Sequence, residues 1–342
     1  MSDLNRRKIQ APSMLRPHVV ILGAGASYAA FPKGDKNGRE LPLMHNIADK
    51  VGLGPLLDSA GVKEHRNDFE QLFSMLVSSG KHDELVVTIE QKIFDFFSSL
   101  KLPDEPTLYD HLVLSLRDKD VIATFNWDPF LWQALNRNAH KCEMPRVLFL
   151  HGNTAIGYAR DGDQVLMGSI GRVSRRCGEF FKPGPLLFPV AKKNYHYDDR
   201  IRSAWNDLKA ELHAAYAVTV FGYSAPVTDV EAVALLKEGW GNANDRDLEE
   251  IEMIDVKSDD DLYQTWEPFI HSHHYRTTNS FYDSIIGYSP RRSCEAMWAQ
   301  LMDMVFIEKN PIPQNSDWNE LYEWVDILLE DERPKEPELP ED

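Results

Sequence analysis

Apolar residues along this chain fall into two patterns. Five short runs, at residues 19 to 27 (VVILGAGAS), 121 to 128 (VIATFNWD), 147 to 152 (VLFLHG), 218 to 224 (VTVFGYS) and 250 to 256 (EIEMIDV), each pass directly into small or polar residues. Runs of this length, rich in β-branched residues, suit strands buried on both faces of a parallel sheet. Elsewhere the apolar positions recur at three and four. Phe69, Leu72, Phe73, Leu76 and Val77 form one such series, and Leu85, Val86, Ile89, Ile93, Phe96 and Phe97 form another after Gly80, so a helical insertion is predicted at about 65–102. Its apolar stripes read as core. Further helices are predicted at 107–117, from Pro129 onward, at 200–215, at 229–237 with Thr228 as cap, and near 259–268, 291–305 and 316–330. Buried runs alternating with helices predict an α/β fold: a doubly wound, Rossmann-like parallel sheet with a helical insertion and C-terminal helices.

The intervening segments set the organisation. Residues 1–17 are polar and basic and read as a flexible arm, 18–256 carry the sheet, 257–330 form a C-terminal helical region, and 331–342 are acidic, proline-rich and expected to be a disordered tail. Residues 33–64, rich in Gly, Pro and charge, are expected to run over the ends of the strands, and 153–199 show no steady period.

Composition narrows the class. The chain has 342 residues, 43% of them hydrophobic, enough for a sizeable core, and its net charge of −17 argues against a nucleic-acid surface. Its three cysteines are widely spaced with no C-x-x-C, which suits a reducing compartment and leaves no thiolate zinc site, so no metal is expected. Arg6 and Arg7 precede no apolar export segment, and no stretch approaches the ~20 apolar residues of a membrane span, so a cytoplasmic location with no membrane contact is expected.

Ligands of open α/β sheets bind beyond the carboxyl ends of the strands, so all five runs deliver their polar residues to one crevice. Gly23, Ala24, Gly25 and Ser27 have the small size, backbone N–H groups and hydroxyl that a diphosphate site uses. Tyr28 stands where the dehydrogenase fingerprint has its last glycine, and no acidic residue ends a second strand about twenty positions on. Bland readings stay open for single members: Asn126 and Asp128 as caps of the helix near Pro129, and His151 as a core histidine. The H-x-H-H cluster at 271–274 reads as a surface feature, Cys177 as an ordinary reduced cysteine, and Ser224 lacks the G-x-S-x-G frame of a nucleophile elbow.

The same five segments, in the same order, resemble the sirtuin family: GAGAS its first nucleotide loop, TFNWD its Thr-x-Asn-x-Asp motif, then its His-Gly pair, FGYS its Gly-Thr-Ser loop, and MID its late Ile-Asn element with Asp255 in place of asparagine. The resemblance implies NAD as ligand and substrate, cleaved between nicotinamide and ribose. It further implies that Asn126 orients the ribose and a water, that His151 acts as base on a ribose hydroxyl, and that Asp128 fixes the nicotinamide end or the loop. Thr124 belongs to the same motif, and Trp127 would wall the nicotinamide pocket. Gly222, Tyr223 and Ser224 would lie under the adenosine half, with Asp255 accepting from its ribose hydroxyls.

Three departures separate the chain from typical sirtuin deacylases. The stretch between His-Gly and FGYS has only Cys177 where they carry four zinc cysteines, the segment after the first loop lacks their Pro-Asp-Phe-Arg run, and Trp127 replaces a small aliphatic residue. These features look like the bacterial sirtuin-like proteins that hydrolyse NAD outright in antiphage defence. The resemblance then implies an NAD glycohydrolase that works by NAD depletion in abortive infection, gated in a homo-oligomer or in a complex with a sensor subunit encoded nearby, or by a nucleotide signal. The 33–64 segment, the insertion and the C-terminal Trp298, Trp318 and Trp324 are the expected handles for such gating. A protein deacylase and a catalytically silent subunit sensing NAD or ADP-ribose are the alternatives.

Overall fold

The computed structural model of the chain describes residues 14–162, 164–189, 198–225, 229–246 and 248–332. Most of the expected arm, Thr228 and all but the start of the expected tail lie outside the described residues.

Five of the strands are those the apolar runs predict: β1 (His18–Leu22), β2 (Val121–Thr124), β3 (Arg146–Phe149), β7 (Ala217–Phe221) and β8 (Glu250–Ile254). A sixth, β9 (Tyr275–Thr278), completes a sheet of order β3-β2-β1-β7-β8-β9 in which every pairing is parallel. The sequence YRTT of β9 is not an apolar run because it lies at the sheet edge and is only half buried, so nothing in it signals a core strand. Residues 156–183 hold a separate three-stranded antiparallel sheet, β4 (Ile156–Asp161), β5 (Gln164–Ser169) and β6 (Lys182–Pro183).

Helices cover both faces. They are α1 (Ala24–Ala30), α2 (Ile47–Lys50), α3 (Gly54–Ser59), α4 (Phe69–Ser79), α5 (Asp83–Ser98), α6 (Leu108–Leu114), α7 (Phe130–Asn138), α8 (Asp199–Ala214), α9 (Val230–Trp240), α10 (Asp259–Trp266), α11 (Ile285–Tyr288), α12 (Ser293–Met302) and α13 (Trp318–Glu332). Strand alternation splits the core in two. Val19 and Ile21 pack with Trp205 and Leu208 of α8, Leu236 of α9 and Trp266 of α10. Val20 and Leu22 share the other cluster with Phe69 and Phe73 of α4, Ile89 and Ile93 of α5, Met297 of α12 and Val325 of α13.

The three C-terminal tryptophans all make contacts within the chain, and Trp324 alone of them is buried. Trp324 is 8% exposed and donates from Nε1 to Asn310 Oδ1 at 3.1 Å. Trp318 donates to the Asp104 carbonyl at 2.7 Å beneath the Arg137 guanidinium, and Trp298 packs on Tyr216 with ring centroids 6.0 Å apart.

A polar chain crosses the core away from the strand ends. The His18 ring bonds Ser293 Oγ through Nδ1 at 2.7 Å and Thr219 Oγ1 through Nε2 at 2.8 Å. The Thr219 hydroxyl donates to Glu252 Oε2 at 3.1 Å, and the Ile285 N–H donates to Glu252 Oε1 at 2.9 Å. Burial lowers the pKa of His18 to about 4 and raises that of Glu252 to about 7. Between pH 4.5 and 7 the folded chain therefore holds a proton on Glu252 that the unfolded chain has lost, so this group's contribution to stability falls as pH rises through that window. Glu252→Gln stays neutral and can keep both bonds. Urea unfolding should find the stability of this variant relative to wild type rising from pH 4.5 to 7 and level above it. A difference independent of pH would rule out a raised pKa at Glu252.

Candidate active site at the strand switch point

The chain reverses its winding direction between β1 and β7, where the connections leave for opposite sides of the sheet. Beyond the carboxyl ends of the strands at this point lies a cavity of about 360 Å³. β1 supplies Gly23, Ala24, Gly25 and Ser27, β2 supplies Asn126, Trp127 and Asp128, and β3 supplies His151. Gly222, Tyr223 and Ser224 come from the end of β7 and Asp255 from the end of β8. Of the residues the sequence singled out, only Thr124 does not line the cavity. Its buried hydroxyl accepts from the Asn126 N–H at 3.0 Å, so it shapes the turn that presents Asn126.

Buried hydrogen bonds fix Asn126. Its Nδ2 donates to the Gly23 carbonyl at 2.8 Å and to Ser27 Oγ at 3.0 Å, which also decides the orientation of the amide. Oδ1 accepts no hydrogen bond from the described residues, so it is the free acceptor of this cavity-lining side chain. Asn126 therefore offers an incoming group an acceptor and no donor.

The reading of Ser27 as a diphosphate ligand is corrected. Its hydroxyl donates to Asp128 Oδ2 at 2.7 Å, accepts from Asn126, and meets the Tyr109 hydroxyl at 2.6 Å. A hydroxyl has one donor and two acceptor positions, so Ser27 has nothing left for a diphosphate. Asp128, buried, also accepts from the Phe130 N–H at 3.2 Å. Burial raises its pKa to about 6 against the pull of these two donors, leaving it mostly ionised at neutral pH. Burial and this carboxylate push the Tyr109 phenol up, so it stays protonated.

The glycine turn also differs from a free phosphate cradle. The Gly23 N–H donates to the Phe221 carbonyl at 3.0 Å and the Gly25 N–H to the Gly222 carbonyl at 2.9 Å. A Cβ on Gly25 would stand 2.9 Å from Gly222 Cα, and Gly25 does not have a positive φ. The small residues here let the β1 and β7 turns touch, and a valine at 25 would part them before it met any ligand.

Packing around Phe125 gathers the other groups. Tyr223 stacks on it at 4.1 Å and 8°, and His151 meets it edge-on at 4.8 Å. His151 Nε2 lies 3.9 Å from Asp229 Oδ2. Asn153 and Thr154, just after His151, hold the motif loop from outside: Asn153 Nδ2 donates to the Asp128 carbonyl at 2.6 Å and Thr154 Oγ1 to the Trp127 carbonyl at 2.8 Å.

Asp229 and Glu70 line the cavity and were missed in the sequence. Asp229 carried a usable signal, being the one charged residue between the fourth strand and its helix. Glu70 carried none, since it only begins a helix whose stripe lies at Phe69, Leu72 and Phe73. Leu41, Leu43, Met44 and Ile47, from the segment before α3, add an apolar wall. Among the described residues no group of three His, Cys, Asp or Glu stands close enough to hold a metal ion, and no helix is long and apolar enough to cross a membrane.

No protein-family model matches the chain, and no curated protein does. Solved structures similar to it include a Sir2 homologue S24A mutant in complex with ADP-ribose, at 13% identity over 92% of this chain and 93% of that one, with a TM-score of 0.41. A Sir2 homolog–NAD complex is similar at 14% identity over 91% and 90%, with a TM-score of 0.38. A Sir2–p53 peptide–NAD+ structure is similar at 15% identity over 78% and 88%, with a TM-score of 0.39.

Proposed function

We propose that this chain is an NAD glycohydrolase that cleaves the bond between nicotinamide and ribose to give nicotinamide and ADP-ribose. One observation carries the reading. Asn126 and His151, delivered by the neighbouring strands β2 and β3, line a single cavity with the β1 turn, and the clamp on the Asn126 amide leaves Oδ1 as its free acceptor. An acceptor in that place suits a water held near C1′, and a neutral imidazole suits the proton that water gives up. The ordered resemblance of the five strand-end segments to sirtuins supports NAD as the substrate.

Uncontrolled loss of NAD would kill the cell that makes the enzyme. The activity is therefore held in check until an assembly, a partner subunit or a nucleotide signal completes the site, as suits an effector of antiphage defence. Such a trigger needs to shift a two-state equilibrium by only a few kcal/mol.

The test is chromatography of NAD, nicotinamide and ADP-ribose after incubation with the purified chain, across protein concentrations, with and without the products of neighbouring genes. Free ADP-ribose formed without any acylated peptide is the expected result. Turnover that requires an acylated lysine peptide would make the chain a deacylase, and NAD binding without turnover under every condition would make it a silent sensor.

A further inference from the structure

The wall of the cavity carries a sign that the strand-end motifs do not explain. Glu70, Asp128, Asp229 and Asp255 all line it, and among the described lining residues there is neither Lys nor Arg. Asp128 accepts from Ser27 and the Phe130 N–H, and Asp255 from the Lys257 N–H at 3.1 Å.

Glu70 and Asp229 come together from distant parts of the chain. Both line the same cavity as Tyr223, and both raise the pKa of its phenol, after burial. The Tyr223 hydroxyl is buried without a hydrogen-bond partner, and its ring lies on Phe125 beside His151. Asp229, at 3.9 Å from His151 Nε2, ties the pair to the histidine end of the cavity. The inserted helix α4 carries Glu70 there. The Asp68 carboxylate caps its first turn by accepting from the Gln71 N–H at 3.1 Å, the Phe69 N–H donates to the Met44 carbonyl at 3.0 Å, and Phe73 stacks on Phe188 at 5.0 Å.

We propose that Glu70 is a catalytic carboxylate that faces the cationic nicotinamide ribosyl group and stabilises the positive charge that moves onto the sugar as the bond breaks. This rests on the reading of the chain as an NAD hydrolase. The C1′–N bond breaks with its electron pair going to the nicotinamide nitrogen, which becomes neutral. The oxygen of water forms the new bond to C1′, and its proton passes to His151 and then to solvent. Glu70 keeps its charge throughout and neither gains nor loses a proton. At an effective dielectric near 20, a unit charge about 6 Å from a developing cation changes a rate or equilibrium by roughly a hundredfold. The helical insertion is then part of the active site, and an assembly that moved α4 would set the activity.

NAD+ and NADH differ in the charge of the ring, so titration of the full chain with each reads the field of Glu70 without requiring turnover. Wild type should bind NAD+ about tenfold or more tightly than NADH. Glu70→Gln should cut that preference to about threefold or less, keep NADH affinity within about twofold, and lower kcat/KM about 10²-fold where wild type turns over. Glu70→Asp, which keeps the charge, should retain most of the preference and separates loss of charge from loss of fold. An unchanged NAD+/NADH preference in Glu70→Gln, or a kcat/KM within about threefold of wild type, overturns the proposal. Wild type that binds neither dinucleotide instead overturns the NAD reading, and the role of Glu70 with it.

Discussion

His151→Ala should lower NAD hydrolysis by about 10² to 10⁴-fold while the chain stays folded, the range typical of a positioned general acid–base group. The ring meets Phe125 edge-on at 4.8 Å, an aromatic pair that contributes about 0.5–1.5 kcal/mol. Nucleotide affinity should change by less than the rate, because the imidazole acts on a proton in flight. Asn126→Ala should match it in lost turnover and exceed it in lost stability, by about 1–3 kcal/mol, since two buried hydrogen bonds from Nδ2 disappear. Asn126→Asp should be less stable than Asn126→Ala, because a carboxylate oxygen would then face the Gly23 carbonyl and a Ser27 oxygen whose proton points at Asp128. Turnover by chromatography, set beside urea unfolding of each variant, checks all three. A folded His151→Ala protein at near-wild-type rate would remove that residue from the mechanism.

Gly222→Ala should destabilise the chain by roughly 3–5 kcal/mol, the range of changes that force backbone apart at a special conformation. Gly222 has a φ of +61°, and a Cβ there would stand 2.2 Å from Ala26 N and 2.4 Å from Gly25 C, backbone atoms held in the first turn of α1. Gly52 gives the control. Its φ is +73° with open space where the Cβ would go, so Gly52→Ala should cost only about 1 kcal/mol. Urea unfolding of the two variants measures the difference. Equal losses would mean that the β1 and β7 turns do not press on each other. NAD affinity in the Gly222→Ala variant should fall as well, because the displaced α1 carries Ser27 and with it the clamp on Asn126.

Local sequence was enough to determine where the five buried strands end and what stands there. A largely apolar run that stops at small or polar residues marks a strand terminus whatever surrounds it, and in a parallel sheet all such termini share one edge. That is why Asn126, His151, Tyr223 and Asp255 could be grouped without coordinates. The periodicity of 69–97 likewise marked α4 and α5, because a stripe at three and four needs only the geometry of a helix. The edge strand β9 escaped because one half-exposed pairing leaves no apolar run, and the sheet of β4 to β6 escaped because β5 and β6 hold no buried residue to pattern them.

Tertiary structure alone decided how the gathered groups are used. Ser27 looks like a phosphate ligand in a Gly-rich turn, yet Asp128, Asn126 and Tyr109, from three other places in the chain, take every position on its hydroxyl. The glycines at 23 and 25 read as room for a ligand, and their spacing says nothing of Gly222, which fills that room. Glu70 reads as the first-turn acid of an amphipathic helix, and only the folded chain brings it to the cavity that Tyr223 and Asp229 also line. Hydrogen-bond saturation and the sign of a cavity depend on which distant residues meet, so they become determinate only once the chain has folded.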